Sequence, residues 1–232
     1  KHSKLVLAYS GGLDTSYSLR KLSKEGYEVH AVSINTGGFS ETEILDIEKK
    51  AYQMGAHLYK NIDALDSFYN KIVKYLVFGN VLRNNTYPLS VSAERIIQAI
   101  EIITYAKAIG AEYIAHGSTG AGNDQVRFDM IFQVLAPEIK IITLIRDHQL
   151  SREDEIEYLK TQRIDFPWEK AKYSINQGLW GTSVGGAETL TSDLPLPDSA
   201  YPSALKKEKE EQISLQFTQG ELTEVNGKKG SP

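Results

Sequence analysis

The residues best suited to chemistry stand near the start of the chain, in Ser10-Gly11-Gly12-Leu13-Asp14-Thr15-Ser16. Two adjacent glycines let the backbone turn with positive φ and bring its N–H groups up to a ligand. A helix opening directly behind such a turn adds unpaired N–H donors and partial positive charge, which suits phosphate. Ser10, Thr15 and Ser16 contribute hydroxyls, and Asp14 is fit either to cap the helix or to hold a metal ion. A plain strand-to-helix turn with an Asp or Thr cap explains the same residues. The motif needs a partner before it becomes a site.

A partner is present in His116-Gly117-Ser118-Thr119-Gly120-Ala121-Gly122-Asn123-Asp124-Gln125-Val126-Arg127-Phe128. This second small-residue turn also follows a strand pattern and leads into a helix. Arg127 offers a fork of donors for carboxylate or phosphate. Asp124 and Arg127 read equally as a surface pair three residues apart, worth roughly tenths of a kcal/mol. His116 is expected to be a satisfied structural histidine, because no other histidine stands at a metal-ligand spacing. A third polar stretch, Asn80 to Ser92, breaks periodicity around Tyr87-Pro88, an extended dipeptide. Its composition fits a binding loop and a plain connection equally.

The elements that must position these turns alternate. Leu5 to Ala8 is a short apolar run suited to a strand buried on both faces. Thr15 to Glu25 predicts a helix ended by Gly26, Tyr27 to Ile34 a strand, Glu41 to Met54 a helix and His57 to Ile62 a third strand. Further on, helices are expected over Asp66 to Gly79 and Ala93 to Ile109, with strands at Glu112 to Ala115 and Ile139 to Ile145. Another helix begins at Ser151, with acidic residues in its first turn. Such alternation implies right-handed crossovers and a doubly wound parallel sheet with helices on both faces. Ligands then sit beyond the carboxyl ends of the strands, where both glycine turns fall. From about Asp165, beginning at Phe166-Pro167-Trp168, the character changes. Tyr173 to Glu188 lacks periodicity, Lys206 to Glu211 is a solvated charge run, and Ile213 to Phe217 with Glu221 to Val225 predicts a hairpin around Gln219-Gly220. We divide the chain into a nucleotide-binding unit, 1–168, and the start of a second α+β unit, 169–232, which is expected to be incomplete.

The chain has 232 residues, a formal net charge of -4, 41% hydrophobic residues and no cysteine. It can bury a full core. The charge argues against nucleic acid as the main partner. Absence of cysteine excludes disulfides, thiolate catalysis and thiolate metal sites. Neither a membrane-length apolar run nor a signal peptide is legible, so a cytoplasmic protein without membrane contact is expected.

The Ser10 to Ser16 motif resembles the pyrophosphate loop of the N-type ATP pyrophosphatases, and no Walker A pattern occurs. Within that group, Ala8 to Ser16, the Gly122-Asn-Asp-Gln-Val-Arg-Phe128 block, and Tyr173-Ser174-Ile175 with Trp180 to Ser183 resemble the argininosuccinate synthase family. The resemblance implies an adenine nucleotide alpha-hydrolase-like fold and an ATP-dependent carbon-nitrogen ligase. Such an enzyme condenses citrulline with aspartate through citrullyl-AMP in arginine biosynthesis and releases AMP and pyrophosphate with the help of Mg²⁺.

By the same resemblance, Ala8, Tyr9, Ser10, Gly11, Gly12, Leu13, Asp14, Thr15, Ser16, Ile34 and Gly117 bind ATP. Among these, Ser10 and Asp14 position and stabilise the leaving group. Thr119, Asn123 and Asp124 hold aspartate, and Tyr87, Ser92, Asn123, Arg127, Ser174 and Ser183 hold citrulline. Mg²⁺ arrives on ATP, with no protein ligands named, and the full-length protein is expected to be a homotetramer. The sequence departs from the family at Ser90-Val91-Ser92-Ala93-Glu94-Arg95-Ile96, where Gly-Thr-Ser-Leu-Ala-Arg-Pro is usual, and at Asn35-Thr36-Gly37-Gly38. Two other readings share the architecture: a different ATP pyrophosphatase, and a non-catalytic adenine-nucleotide-binding module. The first includes tRNA-modifying and NAD-forming enzymes, of which the tRNA-thiolating ones use cysteines and basic surfaces that this chain lacks, and the second has no use for amino-acid pockets.

Overall fold

The computed structural model describes residues 3–120, 122–164, 173–191 and 193–230. The change of character at Phe166-Pro167-Trp168 and the boundary at 168/169 lie outside the described residues. The apolar runs form a five-stranded sheet of β1 (Lys4–Ala8), β2 (Glu28–Asn35), β3 (Leu58–Asp63), β4 (Tyr113–Ala115) and β5 (Lys140–Ile142), in the order β3-β2-β1-β4-β5. Every pairing is parallel. All carboxyl ends therefore share one edge, and the direction of strand addition reverses between β1 and β4.

The pleat sends alternate residues to opposite faces. Leu5 and Leu7 join one core with α1 (Leu13–Lys24), α2 (Glu41–Met54) and α8 (Arg152–Thr161). Val6 joins the other, with α5 (Ser90–Ile109) and α6 (Asp124–Leu135). Capping boxes at Ser40 and Ser151 start α2 and α8, satisfying end groups that the helices themselves leave unpaired.

Four expectations change. The Asp66 to Gly79 helix is α3 (Leu65–Phe68), a π-helical turn Tyr69–Val73 and α4 (Lys74–Phe78). Ile139 to Ile145 is not one strand: after β5 the chain turns into α7 (Leu144–His148), since an apolar run serves a buried helix as well as a strand. Helix α5 starts at Ser90 rather than Ala93, behind Leu89 with φ 59°. Tyr173 to Glu188 holds an antiparallel hairpin, β6 (Ser174–Gly178) and β7 (Gly181–Gly185). The expected hairpin around Gln219-Gly220 is present as β8 (Leu215–Thr218) and β9 (Glu221–Val225), extended by β10 (Lys228–Lys229).

Candidate functional site

The two glycine turns leave the carboxyl ends of β1 and β4, the strands between which the sheet order reverses. In a doubly wound sheet this switch point opens a crevice. Gly11 turns with φ 75°, a conformation open to glycine at no steric cost. Lys50 Nζ of α2 donates to the Gly11 carbonyl at 2.9 Å, so that carbonyl is held by the protein. Gly12 is the N-cap of α1 and no side chain caps the helix. Asp14 and Thr15 instead lie in its first turn.

The loop is braced by its own hydroxyls. Ser10 Oγ lies 3.2 Å from Thr15 Oγ1 and accepts from Gly12 N at 3.3 Å, while Thr15 Oγ1 donates to the Gly12 carbonyl at 3.3 Å. The side chains sort by depth. Ser10 is exposed, whereas Leu13 belongs to the core. Ser16 is fully buried, with its hydroxyl 3.2 Å from Tyr9 Oη, and burial pushes that phenol up to about 12. Ala8 ends β1, and Ile34 stands near the end of β2 within the second core.

Asp14 faces a second acid that the sequence did not single out. Glu155 of α8 is buried, and its Oε2 has no hydrogen-bond partner. Burial, reinforced by the Asp14 charge, pushes Glu155 up to about 8. Burial also raises Asp14, against the opposing pull of Arg152. Two carboxyls this close in a poorly hydrated place retain a proton between them near neutrality.

The second turn is fixed by His116. Its Nδ1 accepts from Ser118 N at 3.2 Å, which leaves Nε2 to donate to Asp129 Oδ1 at 3.0 Å. Arg146 pairs with the other Asp129 oxygen and donates to Thr143 Oγ1 at 2.8 Å. The histidine is therefore structural, as expected. Gly117 lies against the Thr15 backbone, joining the two turns. Thr119 is exposed, and Asn123 is the N-cap of α6.

Of the amino-acid candidates, Asp124 and, through it, Arg127 meet Arg95, a residue to which the sequence reading gave no role. Its Nε donates to Asp124 Oδ2 at 2.9 Å, NH1 to Gln98 Oε1 at 3.0 Å and NH2 to Asn176 Oδ1 of β6. Arg127 NH1 meets the other Asp124 oxygen at 2.7 Å. Asn176 pairs in register with Ser183, and Ser174 with Gly185. Tyr87 Oη lies 3.3 Å from Ser92 Oγ and accepts from Ser92 N at 3.4 Å. The β6–β7 hairpin is tied down at its turn, where Trp180 Nε1 donates to the Pro88 carbonyl at 2.7 Å and Leu179 N to the Thr36 carbonyl at 2.8 Å. Both stretches that depart from the family pattern thus meet this hairpin. Glu94, standing where the pattern has Ala, is buried beneath Gly178 with Oε1 unpaired, and burial pushes it up to about 7.

Among the described residues, no group of three histidine or carboxylate ligands stands at this edge. Its polar groups are the hydroxyls and amides of the two turns together with the carboxyls of Asp14, Glu155 and Asp124.

Comparison with known proteins identifies the family. Residues 4–165 match the family model described as the arginosuccinate synthase N-terminal HUP domain. The chain is 40% identical over 227 residues to the argininosuccinate synthase of Saccharolobus solfataricus, covering 97% of this chain and 58% of that protein. It is 39% identical over 231 residues to the Methanocaldococcus jannaschii protein of the same name (98% and 58%), and 40% over 227 residues to that of Sulfolobus acidocaldarius (97% and 58%). The chain thus spans 58% of the length of each of these relatives. With a matched domain that holds the sheet and both glycine turns, the chain belongs to the argininosuccinate synthase family.

Proposed function

We propose that this chain carries the ATP and amino-acid sites of an argininosuccinate synthase, which joins citrulline to aspartate at the expense of ATP. The observation that carries the proposal is the meeting of the two glycine turns at the switch point, Gly117 against Thr15. Family membership and the names of the relatives support the choice of substrates.

In this reading the amides of Ser10 to Ser16 and the exposed Ser10 hydroxyl hold the β- and γ-phosphates, Tyr9 and Ser16 brace the loop from beneath, and Ile34 and Gly117 border the adenosine. The ureido oxygen of citrulline attacks the α-phosphorus, the bond to the β-phosphate oxygen breaks, and pyrophosphate leaves. The aspartate amine then attacks the ureido carbon and expels AMP. Pre-set donors aimed at developing charge are the largest aid a protein gives such a step. Mg²⁺ bound with ATP would add charge neutralisation. Asp14 positions the loop, and Ser10 directs its hydroxyl at the leaving group.

Thr119, Asn123 and Asp124 hold aspartate. Tyr87, Ser92, Asn123, Arg127, Ser174 and Ser183 hold citrulline, and we add Arg95 as the residue that orients Asp124 and Asn176. Holding two substrates in line is itself a large part of catalysis here. We further read 1–168 as the nucleotide-binding unit and 169–232 as the start of the synthetase unit. For the full-length protein we propose a cytoplasmic location and, from the family resemblance, a homotetramer. The test is isotopic. Citrulline labelled with ¹⁸O at the ureido oxygen should deliver the label to AMP during turnover of the full-length protein. Unlabelled AMP would overturn the proposed activation step.

A further inference from the structure

At the opposite end of the sheet, three side chains with no part in the site above converge. Glu28 opens β2, His30 follows two residues later on the same face, and His57 directly precedes β3. His30 Nε2 lies 3.3 Å from Glu28 Oε1, and His57 Nε2 lies 3.7 Å from the same oxygen. One ligand atom from each residue lies within 4.8 Å of those of the other two. The imidazole rings stack with centroids 5.6 Å apart.

The geometry points to a binding site for a divalent transition-metal ion, Zn²⁺ above all, made by Glu28, His30 and His57 at the amino ends of β2 and β3. Two imidazoles and a carboxylate are ligands that Zn²⁺ accepts, with metal–ligand distances of about 2.0–2.2 Å. Ligand atoms around a tetrahedral ion are then about 3.3 Å apart. The His30–Glu28 separation already has that length and the His57–Glu28 separation exceeds it slightly. The two edges that His57 makes, to Glu28 and to His30, are the ones left to close, the first by about 0.4 Å and the second from within 4.8 Å. His57, with 61% of its side chain exposed, can turn to do so, while His30, at 8%, is fixed.

The surroundings support binding through His30 Nε2. His30 Nδ1 lies 2.8 Å from Tyr105 Oη. A hydroxyl donates and accepts, so Tyr105 serves either tautomer of the ring: it donates while Nε2–H bonds to Glu28, and accepts once Nε2 binds metal. A partner of this kind on the far nitrogen orients metal-binding imidazoles generally. Of the nearby cations, Lys4 is engaged with the Ile109 carbonyl at 3.2 Å, and Lys60 Nζ lies 5.5 Å from the centroid of the Tyr105 ring. Three protein ligands leave one position for water, and the exposure of His57 gives the ion its entry path.

The site lies away from the ATP crevice and is tested without nucleotide. The chain, stripped with a chelator, is titrated with Zn²⁺ alone by calorimetry, and with Co²⁺ alone by visible absorption, which reports low coordination number through intense d–d bands. One ion per chain is expected, with a higher unfolding temperature in saturating metal. His57→Ala removes an exposed ligand without disturbing the core and should weaken Zn²⁺ binding at least about 10-fold. Glu28→Gln should weaken it as well. If the chain binds no Zn²⁺, or if both variants bind it as tightly as the parent, the site does not exist as described.

Discussion

Gly117 and Thr15 touch across the crevice: a Cβ built on Gly117 would stand 2.9 Å from Thr15 Cγ2 and 3.1 Å from its backbone nitrogen. The second glycine turn is therefore seated on the first turn of α1. Gly117→Ala must push the two loops apart. We expect a fall of about 10- to 100-fold in kcat/KM for ATP, since misplacement of this order has such costs, in a protein that still folds cooperatively with a somewhat lower unfolding temperature. Steady-state kinetics with a melting curve checks it.

Asp14→Ala and Ser10→Ala separate catalytic from structural roles in the first loop. Neither residue caps α1, so the helix survives the loss of either. Removing a donor or orienting group from such a loop is expected to lower kcat by about 10²–10³-fold, the range for loss of one pre-set electrostatic contact. Activity within a few-fold of the parent in both variants would make the loop a turn and nothing more.

Arg95 links three elements through separate nitrogens, reaching α6 at Asp124 and β6 at Asn176. Lysine has one point charge and cannot hold both. Arg95→Lys should raise KM for citrulline and aspartate by about 10-fold or more while leaving KM for ATP within a few-fold. Equal changes for all three substrates would deny Arg95 its assigned place. Arg127→Lys should weaken citrulline more than ATP for the same reason.

Two buried acids set a pH dependence of stability. Burial pushes Glu155 up to about 8 and Glu94 up to about 7. In the unfolded chain both ionise near 4.5, so between that pH and about 8 the folded protein holds more protons. More protons bound by the folded state means that stability falls as pH rises. It is highest below the unfolded value and is lost by passage through the folded ones. Glu155→Gln and Glu94→Gln should each flatten the decline, on the order of 1–3 kcal/mol between pH 5 and 9, and match the parent near pH 4. Denaturant melts across that range decide it; a parent more stable at pH 9 than at pH 5 would contradict the assignment.

Much of this was legible in the sequence because local pattern and global fold agree. The apolar run Leu5 to Ala8, the double glycine and the following amphipathic segment each state one step of strand, turn and helix. The second turn was legible for the same reason, and its position beside the first followed from parallel topology. What was hidden depended on long-range partners. The β6–β7 hairpin has few apolar residues to announce it and is held by Trp180 on Pro88 and Asn176 on Arg95. Glu155 read as one of several acids in a helix's first turn, and only the packing of α8 beside α1 brings it to Asp14. The Glu28, His30 and His57 group was invisible because two members lie on β2 and the third just before β3, with no characteristic spacing; β2–β3 pairing assembles it.

The central claim is that ATP and citrulline react in one crevice built from both glycine turns. It is tested most directly by exchange of labelled pyrophosphate into ATP, catalysed by the full-length protein. Exchange should require citrulline, proceed without aspartate and collapse in Gly117→Ala. Exchange in the absence of citrulline, or none in its presence, would contradict the account.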